Sequence, residues 1–179
     1  EWDSPTGVER ILAALSTAAD LATAENIREM ASILMDKVFF SLAINSWCGI
    51  YGSSRGYADT PEVLSPRLEP TSGICRLMWG MGNFNESVMG AVSLAVCQTY
   101  ELPAPIEKIA RDTTGAVWTR ERSSQPGYEW AVNRVTYKTQ DFMLSSAQDY
   151  APGQPGLREH VWQATLGPDA VFFTNHPAN

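Results

Sequence analysis

The chain of 179 residues is 44% hydrophobic, 10% aromatic and 18% charged, a composition that supports a packed core and excludes disordered, collagen-like and coiled-coil material. Its 20 acidic side chains against 13 basic ones leave a net charge of -7, the wrong sign for a surface that neutralises phosphates, so nucleic acid is not expected as a partner. The longest apolar runs, around Val38 to Ile44 and Gly90 to Cys97, fall short of the roughly 18 uncharged residues a membrane span needs, so no span is expected.

Ser4 followed by Pro5 is an N-cap with proline in the first turn, and Val8, Ile11, Leu12, Leu15, Ala18 and Ala19 then recur at helical spacing, predicting a helix from about Pro5 to Ala22. Thr23 is the expected cap of a second helix, with Glu25 in its first turn and Ile27, Met30, Ile33, Leu34, Val38 and Leu42 as its apolar set as far as Ile44. The tight connection makes the two an antiparallel hairpin. Periodicity disappears between Asn45 and Pro70, in a stretch rich in Gly, Ser and Pro whose length marks it as functional or disordered. It returns over Thr71 to Met81, Ser87 to Tyr100 and Pro103 to Arg111, where Gly73, Gly80, Gly82 and Gly90 either weaken the helices or mark close packing.

Both charge and period change near Asp112: residues 1–112 hold 8 basic and 14 acidic groups, residues 113–179 hold 5 and 6. Five short β-rich segments follow, Ala116 to Glu121, Trp130 to Thr139, Phe142 to Ser146, His160 to Ala164 and Ala170 to Thr174, separated by turn residues at 123–127, 150–156 and 166–169. With no strand alternating with a helix, an antiparallel sheet is expected rather than βαβ units. The fold class is therefore α+β: antiparallel helical hairpins over 1–112, then an antiparallel β portion over 113–179.

Walker, dinucleotide, H-E-x-x-H and G-x-S-x-G patterns are all missing from the sequence. Neither His160 nor His176 has a second ligand at metal spacing, so no metal and no cofactor is expected. Cys48, Cys75 and Cys97 have no C-x-x-C spacing, and each reads as a small core hydrophobe. The best chemical candidate is Tyr51-Gly-Ser-Ser-Arg-Gly-Tyr57, where glycines let the backbone approach a ligand while two phenols and Arg55 supply stacking and carboxylate recognition. The competing reading is a structured connection in which Arg55 caps a helix end and the tyrosines pack. His160 and Trp162, two apart in a strand, should share one face of the sheet and line a groove, or else be a half-buried histidine beside a core tryptophan. His176 reads as a turn residue, as does Asp149-Tyr150. Glu1 and Asp3 place carboxylates near the positive end of the first helix. Because the chain begins at Glu1 with neither methionine nor signal peptide, it reads as processed or as a piece of something longer.

The segments EWDSPT, NSWCGIYGSSRGY, RLMWGMGNFN, VTYKTQDFMLSSAQDY and HVWQATLGPDAVFFTNHPA together resemble uncharacterised bacterial and fungal proteins related to the heparinase II/III-like group of polysaccharide-degrading enzymes. The resemblance spans nearly the whole chain. It implies a partial α/α toroid followed by the opening of an antiparallel β-sandwich, and β-elimination on a uronic-acid-containing polysaccharide or oligosaccharide. Carried onto this sequence, Tyr57 or Tyr51 is the proton-transfer group, Arg55 and Asn45 neutralise the substrate carboxylate, and His160 is a partner from the sheet; Trp162, read above as lining a groove, is the further substrate-binding candidate. A tyrosine, ordinarily titrating at about 10, needs a cationic neighbour to act as base near neutral pH, which Arg55 would supply.

Glycoside hydrolysis is the neighbouring chemistry; it needs two carboxyl groups ~5–5.5 Å or ~6.5–9.5 Å apart, for which Glu1, Asp3 and Asp59 are the candidates. A different class of function, a non-catalytic carbohydrate-binding or protein-assembly module, follows from the unprotected edges of a short sheet, which self-association would cover. The residues alone fix no compartment; a secreted or periplasmic location is the expectation.

Overall fold

The computed structural model describes residues 3–124, 131–149 and 159–176. Helix α1, Pro5–Leu21, begins as its sequence requires, with the Ser4 hydroxyl accepting from the Gly7 amide at 3.3 Å and proline in the first turn. Helix α2, Glu25–Asn45, packs against α1. Its N-cap is Ala24 without a side-chain cap, not Thr23.

The stretch from Asn45 to Pro70 is ordered, built from short elements. Strands β1 (Ser46–Trp47) and β2 (Ile50–Tyr51) form a hairpin that turns through Cys48 and Gly49, at φ of 51° and 79°. Glycine is required at 49, because a Cβ there would lie 2.1 Å from the Gly82 amide nitrogen. A short helix α3 (Thr60–Leu64) and a 3-10 turn (Pro66–Leu68) follow.

Helices α4 (Ser72–Trp79), α5 (Met89–Val96) and α6 (Ala104–Arg111) complete the helical part. The predicted continuation of α5 to Tyr100 does not occur: the Asp20 carboxylate takes the amides of Gln98 and Thr99, each at 3.0 Å, and draws the chain out of the helix.

The helical core is apolar, with Leu12, Met35, Phe39, Leu42, Ile74 and Trp79 sealed from solvent. Phe39 stacks on Tyr100 at 5.6 Å and meets Trp79 edge-on at 6.3 Å. One expectation is corrected here. Ile27, Met30, Ile33 and Leu34 of α2 are exposed, and the buried stripe is Ala31, Met35, Phe39, Leu42 and Ala43.

Strands β3 (Val117–Ser124), β4 (Ala131–Lys138), β5 (Met143–Gln148), β6 (Glu159–Gly167) and β7 (Ala170–His176) form one antiparallel meander in chain order. The chain is thus α+β with an antiparallel sheet. On β4 the burial alternates strictly: Val132, Arg134, Thr136 and Lys138 are buried, while Tyr137 on the opposite face is exposed.

The inner face buries Val132, Met143 and Ala147 but is mostly polar. On the outer face, register aligns Trp118, Tyr137, Leu144, Ala164 and Phe172 in a row across all five strands. His176 closes β7 opposite Glu159 instead of sitting in a turn. The turn residues expected at 125–127 and 150–156, and Glu1 and Trp2, lie outside the described residues. Among the described residues no helix is long and apolar enough to cross a membrane.

Candidate functional site

The segment after β2 lies against the inner face of the sheet. Gly52 makes this possible, since a Cβ there would meet Met143 Sδ at 2.7 Å and Thr165 Oγ1 at 2.9 Å. The close approach that its sequence suggested for a ligand is spent on the sheet. Beyond it, Arg55 and His160 exchange backbone hydrogen bonds of 2.9 and 2.8 Å, tying the segment to β6. The space between is filled by hydroxyls: Ser145 Oγ lies 2.8 Å from Ser53 Oγ and 3.0 Å from both the Ser54 amide and its Oγ.

The structure therefore brings Tyr51, Arg55, Asn45 and His160 into one region, but not into an open loop. Arg55 is 4% exposed and His160 is 0% exposed. The Arg55 guanidinium sits 4.0 Å from the centroid of the Tyr51 ring and donates to Glu69 at 3.1 Å. Glu69 is held in turn by the Thr71 amide and hydroxyl, at 3.0 and 2.5 Å. Arg55 thus pairs with a buried carboxylate instead of capping a helix.

The His160 ring lies 2.6 Å from Gln163 Oε1 and 5.5 Å from the Phe173 ring, within the sheet layer. Asn45, fully buried at the end of α2, donates to Glu121 Oε2 at 2.6 Å and accepts from Thr136 at 3.2 Å.

Trp162 does not share a face with His160. The pairing of β6 with β7 is irregular between the two residues, which breaks the two-residue alternation and leaves Trp162 41% exposed on the other side of the sheet. Tyr57 is half-buried beyond the Arg55–His160 bridge. Asp59 stands at the start of α3. Among the cysteines only Cys75 is a buried hydrophobe; Cys48 is exposed in the hairpin turn, and the Cys97 thiol points to the Asp20 carboxylate at 3.4 Å.

Two residues missed by sequence reasoning organise the region. Arg134 of β4 donates from Nε and Nη2 to Glu121 Oε2, at 3.0 and 2.6 Å, and from Nη1 to Tyr51 Oη and the Ser54 carbonyl, both at 3.1 Å. It also pairs with Asp3, next to the start of α1. Glu121 accepts further from Ser41 at 3.3 Å. The signal for Arg134 lay in the β4 alternation, which puts it on one face with Thr136 and Lys138 but does not say that this face is the buried one. Burial pushes the Tyr51 phenol up, against the opposing pull of Arg134, so it keeps its proton at neutral pH. Lys138 Nζ donates to the Ala43 and Ser46 carbonyls at 3.0 and 3.1 Å, and burial draws its titration down to about 8.

Tyr51 is also part of the wall of an open cavity of about 380 Å³ between α1 and α2, lined among others by Asp3, Val8, Lys37, Ser41 and Leu42. This volume lies in the range of small-ligand sites. The cavity combines an apolar floor with a phenol, a hydroxyl, a carboxylate and an exposed ammonium, so it can receive a polar ring and address an anionic substituent. Among the described residues no group of three or more His, Cys, Asp or Glu is placed to hold a metal ion. Comparisons with protein-family models, with curated proteins and with solved structures yield no match to this chain.

Proposed function

We propose that the protein is carbohydrate-active and of the β-eliminating polysaccharide-lyase type, taking a uronic-acid-containing chain into the cavity between α1 and α2. The observation that carries this reading is the Tyr51 phenol, in the cavity wall, with the Arg134 guanidinium 3.1 Å from its oxygen. In an elimination the C5 proton leaves, a C4–C5 double bond forms and the C4 oxygen departs with a proton. A phenol that holds its proton suits the last of these steps, so Tyr51 is assigned as the acid rather than the base. Lys37, exposed at the cavity, is a cation for the carboxylate of a neighbouring uronate along the chain. Arg55 and Asn45 act through Tyr51 and Glu121 as positioning residues, and Tyr57 stays the candidate base by resemblance alone. The test is incubation with a panel of polyuronates, following the ultraviolet absorbance of the unsaturated product. Product is expected with at least one, and Tyr51→Phe, which keeps the ring over Arg55, should abolish it. Absence of unsaturated product throughout the panel overturns the reading.

The commitment of Arg55 and His160 to buried internal contacts favours a second reading, a non-catalytic carbohydrate-binding or assembly module. Its surface would be the exposed Trp118, Trp162 and Phe172 on the outer face, with β3 and β7 as edges for self-association. Retention of polyuronate without turnover, or a concentration-dependent dimer, would support it.

A further inference from the structure

The Arg134 guanidinium has a crowded corner. Nη1 carries two hydrogens, which go to Tyr51 Oη and the Ser54 carbonyl, both at 3.1 Å; the Asp3 carboxylate pairs with it by charge, and its buried Oδ2 receives no hydrogen bond. The first two are fixed. Tyr51 belongs to β2 and its ring is clamped by Arg55, while Ser54 is anchored by its own amide on Ser145 and by the neighbouring Arg55–His160 bridge. Asp3 is different. It precedes α1, its side chain is a quarter exposed, and its backbone sits at φ 49°, in the left-handed region that non-glycine residues avoid. It is also a wall of the cavity, with Arg134 behind it.

We infer that the Nη1 corner of Arg134 is a carboxylate-binding position that Asp3 fills as an internal stand-in, and that a uronate entering the cavity displaces Asp3 to reach it. This rests on the cavity being the saccharide site proposed above. A carboxylate on a strained, partly exposed backbone, with one oxygen buried and without a hydrogen bond, is the partner most easily exchanged for another carboxylate, because on leaving it recovers both hydration and an unstrained conformation. The exchange preserves the charge balance around Arg134 and Glu121, whereas a neutral sugar would leave Nη1 short of its anionic partner. The Arg134 corner therefore sets specificity for acidic saccharides, and Asp3 lowers their apparent affinity by competing for it.

Asp3→Gly removes the competitor and suits the positive φ, so the variant should remain folded. Calorimetric titration of the full chain with oligogalacturonate should show binding about tenfold tighter in this variant than in the wild type, with no gain for a neutral cello-oligosaccharide. Asp3→Asn supplies the same comparison if Asp3→Gly melts early. Unchanged affinity for oligogalacturonate, or an equal gain for the neutral sugar, overturns the inference. Tighter uronate binding without unsaturated product would retain the carboxylate position and remove the lyase reading; unsaturated product with unchanged affinity would do the reverse.

Discussion

The chain has two interiors of opposite chemistry. Around Phe39 the helices bury Leu12, Met35, Leu42, Ile74 and Trp79, a core held by area removed from water and by ring contacts. Against the sheet, Val132, Met143 and Ala147 are buried, but most of the buried side chains are polar, Arg134, Thr136, Lys138, Ser145, Gln163 and Thr165, facing Asn45, Ser53, Ser54 and Arg55. The first interior is non-directional and tolerates repacking. The second is a set of directional bonds in which each partner removed leaves another buried and unsatisfied. The polar layer contributes less through burial, but it fixes where the loop after β2 sits on the sheet, and with it the position of Tyr51.

The largest expected effect comes from setting one swap in each interior side by side. Arg134→Met strips Glu121, Tyr51 Oη and the Ser54 carbonyl of a shared donor. Removing one member of a buried ion pair costs about 3–5 kcal/mol, and since the Glu121 side chain keeps 21% exposure the lower end, about 3, is expected in urea unfolding. Phe39→Leu, in the apolar core, should stay near 1.5 kcal/mol through lost volume and ring contacts. Equal costs would dissolve the distinction between the two interiors.

That distinction also explains what was legible in the sequence. The strands were readable because turn residues and β-branched runs punctuate them, and α1 because Ser4 and Pro5 announce it. The faces were not. On β4 the two-residue period separates Val132, Arg134, Thr136 and Lys138 from Val135 and Tyr137, but the more polar set is the buried one here, against the usual polarity. On α2, apolar residues occur nearly all round, so the period could not choose Met35 and Phe39 over Ile33 and Leu34. Arg55 and Tyr51 were visible as an unusual cluster, and they do meet. Their burial was hidden because it depends on Gly52 docking onto strands 90 residues and more away, a contact no local pattern encodes.

Lys138 sharpens the comparison through pH. Its ordinary value of 10.5 falls to about 8 in the folded chain because burial disfavours the ammonium. Between these values the unfolded chain binds a proton that the folded chain has released, so stability from this group rises with pH across that window. Below about 8 both states are charged and the full cost is present. Stability of the wild type relative to Lys138→Met should therefore increase from pH 8 to 10.5 in denaturant titrations. A flat difference would mean that the Ala43 and Ser46 carbonyls hold the ammonium charged throughout.

The smallest effect is expected where charges meet in water. Arg67 donates to Asp169 through Nε and Nη2, at 3.3 and 3.2 Å, joining the 3-10 turn to the turn between β6 and β7. The geometry matches that of a bidentate buried pair, but both side chains are exposed, so the solvent replaces most of what each provides the other, and added salt screens the rest. Asp169→Asn should leave the urea midpoint unchanged, with no salt dependence beyond that of the wild type. If it instead matched Arg134→Met, geometry rather than desolvation would govern the charge pairs of this protein, and the polar interior would owe its importance to the number of its bonds rather than to its dryness.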